Sequence, residues 1–114
     1  MKITGVRGYP VKAGHRNQFV VMIETEEGII GLGEGGISGR EFAVQGMLEH
    51  SSGFLIGEDP RRIEHLWQTM FRGAYFEGGK ITAATLSVVD IALWDILGKW
   101  LGVPLLQLLG GASR

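Results

Sequence analysis

One segment constrains this chain more than any other. Residues 82 to 101 read as a helix with almost no polar face: Ala83, Ala84, Leu86, Val88, Val89, Ile91, Ala92, Leu93, Trp94, Ile96, Leu97, Trp100 and Leu101 cover it nearly all round. A helix apolar on every side has to be buried on nearly every side. Gly102-Val103-Pro104 stops it, and Leu105-Leu106-Gln107-Leu108-Leu109 follows as a second greasy turn before Gly110-Gly111. The remaining residues of a 114-residue chain offer little to cover so much apolar surface. The pattern is that expected of a sequence cut at a domain boundary.

What precedes this helix reads first as strands. Ile3-Thr4-Gly5-Val6-Arg7-Gly8-Tyr9 alternates apolar with small or polar residues, and Pro10 is expected to end it. Gln18 to Thr25 is dense in β-branched residues and apolar on both faces. Glu26-Glu27-Gly28 supplies a short turn, and Ile29 to Glu34 returns as a third strand. With a longer connection over residues 11–17, the three make an antiparallel meander.

After Gly35-Gly36 the period changes. Val44, Met47 and Leu48 fit a helix over residues 38–54, with Ser38 and Glu41 spaced as a capping box. Asp59-Pro60 predicts the next helix start, with Asp as N-cap and Pro in the first turn. Ile63, Leu66, Trp67, Met70 and Phe71 then form one apolar stripe. Gly73 and Gly78-Gly79 bracket a loop carrying Tyr75, Phe76 and Glu77. The expected class is α+β, a three-stranded meander over about 2–34 followed by a helical bundle over about 38–101. Residues 102–114 read as the start of a linker.

Composition narrows the partners. Eleven Lys+Arg against twelve Asp+Glu leave no footprint for nucleic acid or an anionic membrane. No run reaches about 18 uninterrupted apolar residues, and the N-terminus is too polar for a signal peptide, so no membrane role is expected. Zero Cys removes disulfides, thiolate nucleophiles and Cys-based zinc sites, and fits a cytoplasmic chain.

The candidate chemical motifs are sparse. Gly31-Leu32-Gly33-Glu34-Gly35-Gly36 satisfies the dinucleotide fingerprint, but helices follow it where a βαβ unit needs a parallel strand. It reads as a Gly-rich strand exit. His15, His50 and His65 form no ligand pair at helical spacing. Asp90 and Asp95 lie about 140° apart around their helix, so they share no metal-binding face. Asp95 and Lys99 are an i, i+4 pair, and Asp90 is expected to cap or pair with a neighbouring element. His15 and Arg16 sit in the connection between the first two strands, where a loop could meet a ligand or simply be a polar tip.

Residues 90 to 111, DIALWDILGKWLGVPLLQLLGG, closely resemble a signature of the mandelate racemase/muconate lactonizing branch of the enolase superfamily. Upstream, Glu24-Thr25 with Gly28, and Gly31-Leu32-Gly33-Glu34, resemble the family's second hairpin. Gly57-Glu58-Asp59-Pro60, Leu66-Trp67, Phe71-Arg72-Gly73 and Gly78-Gly79 resemble its sugar-acid dehydratases of the galactonate type. Thr85 and Val88 depart from the family pattern, which places Ala and a small residue there; a rearranged helix contact is the expected result. The resemblance implies an N-terminal capping domain whose catalytic TIM barrel, needing about 250 residues, is absent here.

The division of labour follows from that resemblance. Acid/base residues and the carboxylates for Mg²⁺ would lie on the barrel, where the metal stabilises an enediolate formed next to a carboxylate. No catalytic or metal-binding residue is therefore assigned to this chain. The implied parent is an Mg²⁺-dependent hydro-lyase or racemase, and the chain is expected to be inactive alone. Its lid loops would be residues 11–18 and 34–40, with His15, Arg16, Gly36, Ile37 and Ser38 facing an acid-sugar substrate. An Arg or His suits a polyhydroxy carboxylate through charge-assisted hydrogen bonds. The expected partners are the C-terminal barrel, the substrate and a second copy in a homo-oligomer. The alternative is a stand-alone interaction module that uses the apolar C-terminal helix, since large exposed apolar patches mark interfaces.

Overall fold

Strand alternation builds the first layer. The computed structural model describes residues 1–73 and 75–114. Strands β1 (Ile3–Ala13), β2 (Arg16–Thr25) and β3 (Ile30–Gly35) form one antiparallel sheet in the order β1-β2-β3. Phe19, Val21 and Ile23 of β2 are fully buried on one face. Among the described residues four helices follow: α1 (Glu41–Leu55), α2 (Ile63–Arg72), α3 (Lys80–Leu101) and α4 (Leu105–Leu108). The α+β meander-plus-helices expectation is the observed architecture.

Pro10 does not end β1. It pairs opposite Phe19, and the strand runs on to Ala13. β1 is an edge strand, where a residue without an N–H costs no ladder bond if that position faces outward. The expected loop over residues 11–17 is instead a two-residue hairpin turn, Gly14-His15, with Ala13 opposite Arg16. Gly14 takes φ 64°, the sign that the first position of a II′-type hairpin turn requires.

The two predicted helix starts also move. Arg40, not Ser38, is the N-cap of α1, and no side chain caps it. The Glu41 carboxylate instead accepts the Gly39 N–H at 3.0 Å, holding the turn before the helix. Asp59-Pro60 likewise opens a turn, closed by the Arg62 N–H donating to the Asp59 carbonyl, and α2 begins at Ile63. The Asp59 carboxylate is occupied by the Arg61 backbone N–H and guanidinium, at 2.6 to 3.1 Å. Arg61 in turn lies 4.6 Å from the Trp100 ring centroid, tying the start of α2 to the end of α3.

That arrangement has a pH consequence. The Arg61 hydrogen bond is the main cause that lowers the Asp59 pKa from 3.8 to about 2. A depressed carboxylate stabilises the fold above its unfolded pKa, and the benefit disappears as pH falls through the folded value. Wild type is therefore expected to exceed Asp59→Asn in stability above pH 4, with the gap closing toward pH 2. Urea titrations of both across that range measure it; a gap independent of pH would contradict the assignment.

Helix α3 is the centre of the fold. It rests on β3 and β2 and meets α1, α2 and α4. Leu86, Val88, Val89, Ala92, Leu93 and Ile96 are at most 4% exposed. Burial is nevertheless one-sided, since Ile91, Trp100 and Leu101 remain more than 40% exposed. Contrary to the count of uninterrupted apolar residues, α3 is long and apolar enough by length and composition to cross a bilayer. Here it is the core helix.

The helix reaches the sheet because β3 has no side chains in the way. A Cβ on Gly31 would lie 2.2 Å from the Ala92 carbonyl oxygen, and one on Gly33 would lie 2.0 Å from that of Val88. The Gly-x-Gly pattern is thus a close-packing surface for α3. Val88 is accommodated there, its Cβ 3.6 Å from where a Gly35 Cβ would stand. Thr85, 1% exposed, donates its hydroxyl to the Ile81 carbonyl at 2.8 Å. The outer edge of β3 is held as well. The Leu32 N–H donates to Asp95 at 2.9 Å, and Lys99 donates to the Ile30 carbonyl at 2.7 Å. Asp95 and Lys99 also pair with each other at 2.9 Å. Asp90 finds no cation among the described residues: burial, then the nearby Glu64 carboxylate, raise its pKa.

Candidate functional site

The hairpin β1–β2 and the exit of β3 come together at one end of the sheet. Phe19 pairs with Gly35, so the residues just before β2's buried run face those just after β3's glycines. Between them lies a cleft of about 170 Å³ lined by Arg16, Asn17, Gln18, Glu34, Gly35, Gly36 and Ser38. Phe19, fully buried, follows Gln18 and packs under Gly36. A Cβ on Gly36 would stand 2.9 Å from the Phe19 Cβ, and Gly36 has φ 102°, so space and backbone both require glycine.

Of the five residues expected to face substrate, the structure brings three together. Arg16, Gly36 and Ser38 line the cleft. His15 is at the exposed hairpin tip and Ile37 is half-buried; neither lines it. Arg16 belongs to a strand rather than a loop, which gives its guanidinium a fixed base. The sequence reading held Asn17, Gln18 and Glu34 within its two lid segments but did not name them as substrate-facing. Gly14 was the signal available: a two-residue turn there makes residues 16 to 18 part of β2, just before the Phe19 that pairs with Gly35.

The chemistry of the cleft is polar and of both signs. Arg16 offers a planar donor fork for a carboxylate, while Asn17, Gln18 and Ser38 offer neutral donors and acceptors. Glu34 accepts hydroxyl protons. Asn17 also reaches Glu41, whose carboxyl sits below the usual range chiefly through its own backbone N–H and that of Gly39, with Asn17 contributing less. The start of β2 thus lies beside the start of α1. A larger groove, about 270 Å³, lies between α3 and α4 at Asp95, Gly98 and Val103 to Leu105. Asp95 and Lys99 there are already committed to β3 and to each other. Among the described residues no three His, Asp or Glu side chains converge as a cation site.

Comparison with known proteins gives the fold a lineage. A family model for the mandelate racemase/muconate lactonizing enzyme N-terminal domain matches residues 9–110. A D-mannonate dehydratase of Novosphingobium aromaticivorans is 49% identical over all of this chain and 28% of its own length. A D-galactonate dehydratase of Ralstonia nicotianae is 44% identical, over all of this chain and 29% of its own. A crystal structure of an enolase from Pantoea ananatis with bound D-gluconate and Mg superposes with TM-score 0.93 at 41% identity. That match covers 99% of this chain and 28% of the other. The chain thus spans less than a third of the relatives it resembles. The family model spans all but the ends of the chain, and the chain belongs to the mandelate racemase/muconate lactonizing enzyme family, whose N-terminal domain it matches.

Proposed function

We propose that this chain is the substrate-capping domain of an Mg²⁺-dependent sugar-acid dehydratase or racemase and does not turn over substrate alone. The observation that carries the reading is the polar cleft at the sheet end, where Arg16 from the start of β2 and Ser38 from the connection between β3 and α1 share one opening. The names of the relatives support the substrate class, a polyhydroxy carboxylate. Arg16 would bind the carboxylate or an adjacent hydroxyl, and Ser38, Gln18 and Glu34 would read the hydroxyl pattern. Closing such a cleft over a reacting carboxylate excludes water from it. The metal belongs to the part of the enzyme beyond this chain and would stabilise charge on the substrate there.

The test is a chimera in which this chain replaces the matching stretch of the D-mannonate dehydratase. Loss of water from an aldonic acid to give a keto acid is expected from the chimera and not from the 114-residue chain. Arg16→Ala is expected to lower kcat/KM by about 10- to 100-fold, the loss of one charge-assisted contact. Keto-acid formation by the chain alone, or an Arg16→Ala chimera with unchanged kcat/KM, would overturn the assignment.

A further inference from the structure

A second cavity adjoins the polar cleft, and Asn17 lines both. Strand alternation makes it. Lys12 pairs with Asn17 and Pro10 with Phe19, so Pro10, Lys12 and Asn17 share the face of the hairpin that carries buried Phe19. Beyond Phe19 that face leaves the core, and all three residues are exposed. Glu41 and Phe42, on the first turn of α1, complete a cavity of about 250 Å³.

Its lining has a definite chemistry. Phe42 is 81% exposed, so burial within this domain does not account for its ring. Pro10 adds a second apolar surface, while Lys12, Asn17 and Glu41 supply donors and acceptors around it. Among the described residues Lys12 meets no carboxylate, and Glu41 is held by the Gly39 N–H at 3.0 Å. An apolar ring edged by polar groups suits a sugar ring, whose C–H face packs on an aromatic while its hydroxyls take hydrogen bonds from the rim. Lys12 and Glu41 contribute one charge of each sign, which favours a neutral occupant.

Size argues that the two cavities serve one ligand. Small-molecule sites hold roughly 300–1,000 Å³. Neither the cleft, about 170 Å³, nor its neighbour, about 250 Å³, reaches that range alone, whereas the two joined at Asn17 do. We propose that they form one elongated site for an acid sugar bearing a second, neutral sugar ring, an aldonic acid glycosylated on a hydroxyl. The acid end lies at Arg16, and the ring lies on Phe42 with Lys12 and Asn17 at its hydroxyls. This deepens the capping role and rests on it for the acid end; the ring end stands on the second cavity. Asn17 is the joint. Its amide reaches Glu41 in the free domain, and a ligand crossing between the cavities takes that contact over. An acid sugar without the ring leaves Phe42 unoccupied.

Two-dimensional ¹H–¹⁵N NMR titrations of the chain test this with three probes: gluconate, cellobionate (gluconate bearing a glucose ring) and methyl β-D-glucoside. The backbone N–H groups of Arg16 and Gly36 report the cleft, and those of Lys12 and Phe42 report the second cavity. Gluconate is expected to shift the first pair, methyl glucoside the second and cellobionate both. Joining the two ends in one molecule is expected to make cellobionate bind at least about fivefold more tightly than gluconate. Phe42→Ala, at an exposed position, is expected to abolish that advantage and leave gluconate binding unchanged. Equal affinity for cellobionate and gluconate, Lys12 and Phe42 unmoved by both glucose-bearing probes, or an advantage that survives Phe42→Ala overturns the proposal. Methyl glucoside at Lys12 and Phe42 without gluconate at Arg16 and Gly36 keeps the ring site and removes the acid end, which separates failure of the capping role from failure of the second cavity.

Discussion

Gly33→Ala is expected to lower the stability of this domain by about 3 kcal/mol or more, while Gly46→Ala raises it by about 0.5–1 kcal/mol. The two substitutions add the same methyl group, and the difference lies in what that group meets. At Gly33 a Cβ would stand 2.0 Å from the Val88 carbonyl oxygen and 3.1 Å from the Ala92 backbone nitrogen. Both belong to α3, so relief requires moving a whole helix and not one rotamer. Shifting α3 would unpack Val88, Val89, Ala92 and Ile96 together and lengthen the Asp95 and Lys99 contacts to the β3 edge. At Gly46, within α1, a Cβ meets nothing within 4 Å, and the change only removes unfolded-chain freedom. Thermal unfolding reads both: a shift of about 4–8 °C per kcal/mol, downward for Gly33→Ala and upward for Gly46→Ala. A Gly33→Ala protein that melts with wild type would refute the close helix–strand contact.

These glycines show where the sequence was informative and where it was not. The β3 pattern could be separated from a dinucleotide loop because helices follow it, but its use as a packing surface appears only once Val88 and Ala92 lie over it. Strand periodicity located β2 and β3 to within two residues, since one side of each is obligatorily buried. It misplaced the end of β1, because an edge strand tolerates the Pro10 that a central strand could not. Ser38 and Asp59 carry cap chemistry, yet the polar groups nearby serve turns first: Glu41 holds Gly39, and Asp59 holds Arg61. Local motifs state which hydrogen bonds are available and leave open which element collects them. The cleft was legible in part for the same reason. Arg16, Gly36 and Ser38 were named as substrate-facing, whereas Gln18 and Glu34 fell at the junctions of predicted strands and lid segments, and the folded sheet brings both to one cleft.

Phe19→Ala is expected to remove about 3–5 kcal/mol of stability and, in a full-length chimera, to loosen the cleft before it unfolds the domain. Phe19 has no exposed surface and lies immediately after Arg16, Asn17 and Gln18. Its ring tip fills the space above Gly8, where a Cβ would come within 2.5 Å, and its Cβ supports Gly36. One aromatic side chain therefore anchors β2 to β1 on one side and carries the exit of β3 on the other. Truncation leaves a cavity beneath both walls of the cleft, and the flanking glycines have no side chains with which to refill it. Phe19→Leu retains most of the volume and is expected to recover more than half of the lost stability. The kinetic counterpart under the proposed capping role, read below the lowered melting temperature, is a raised KM for Phe19→Leu with a smaller change in kcat. A Phe19→Leu chimera that loses kcat alone would place this residue's influence on the chemistry and not on the cleft.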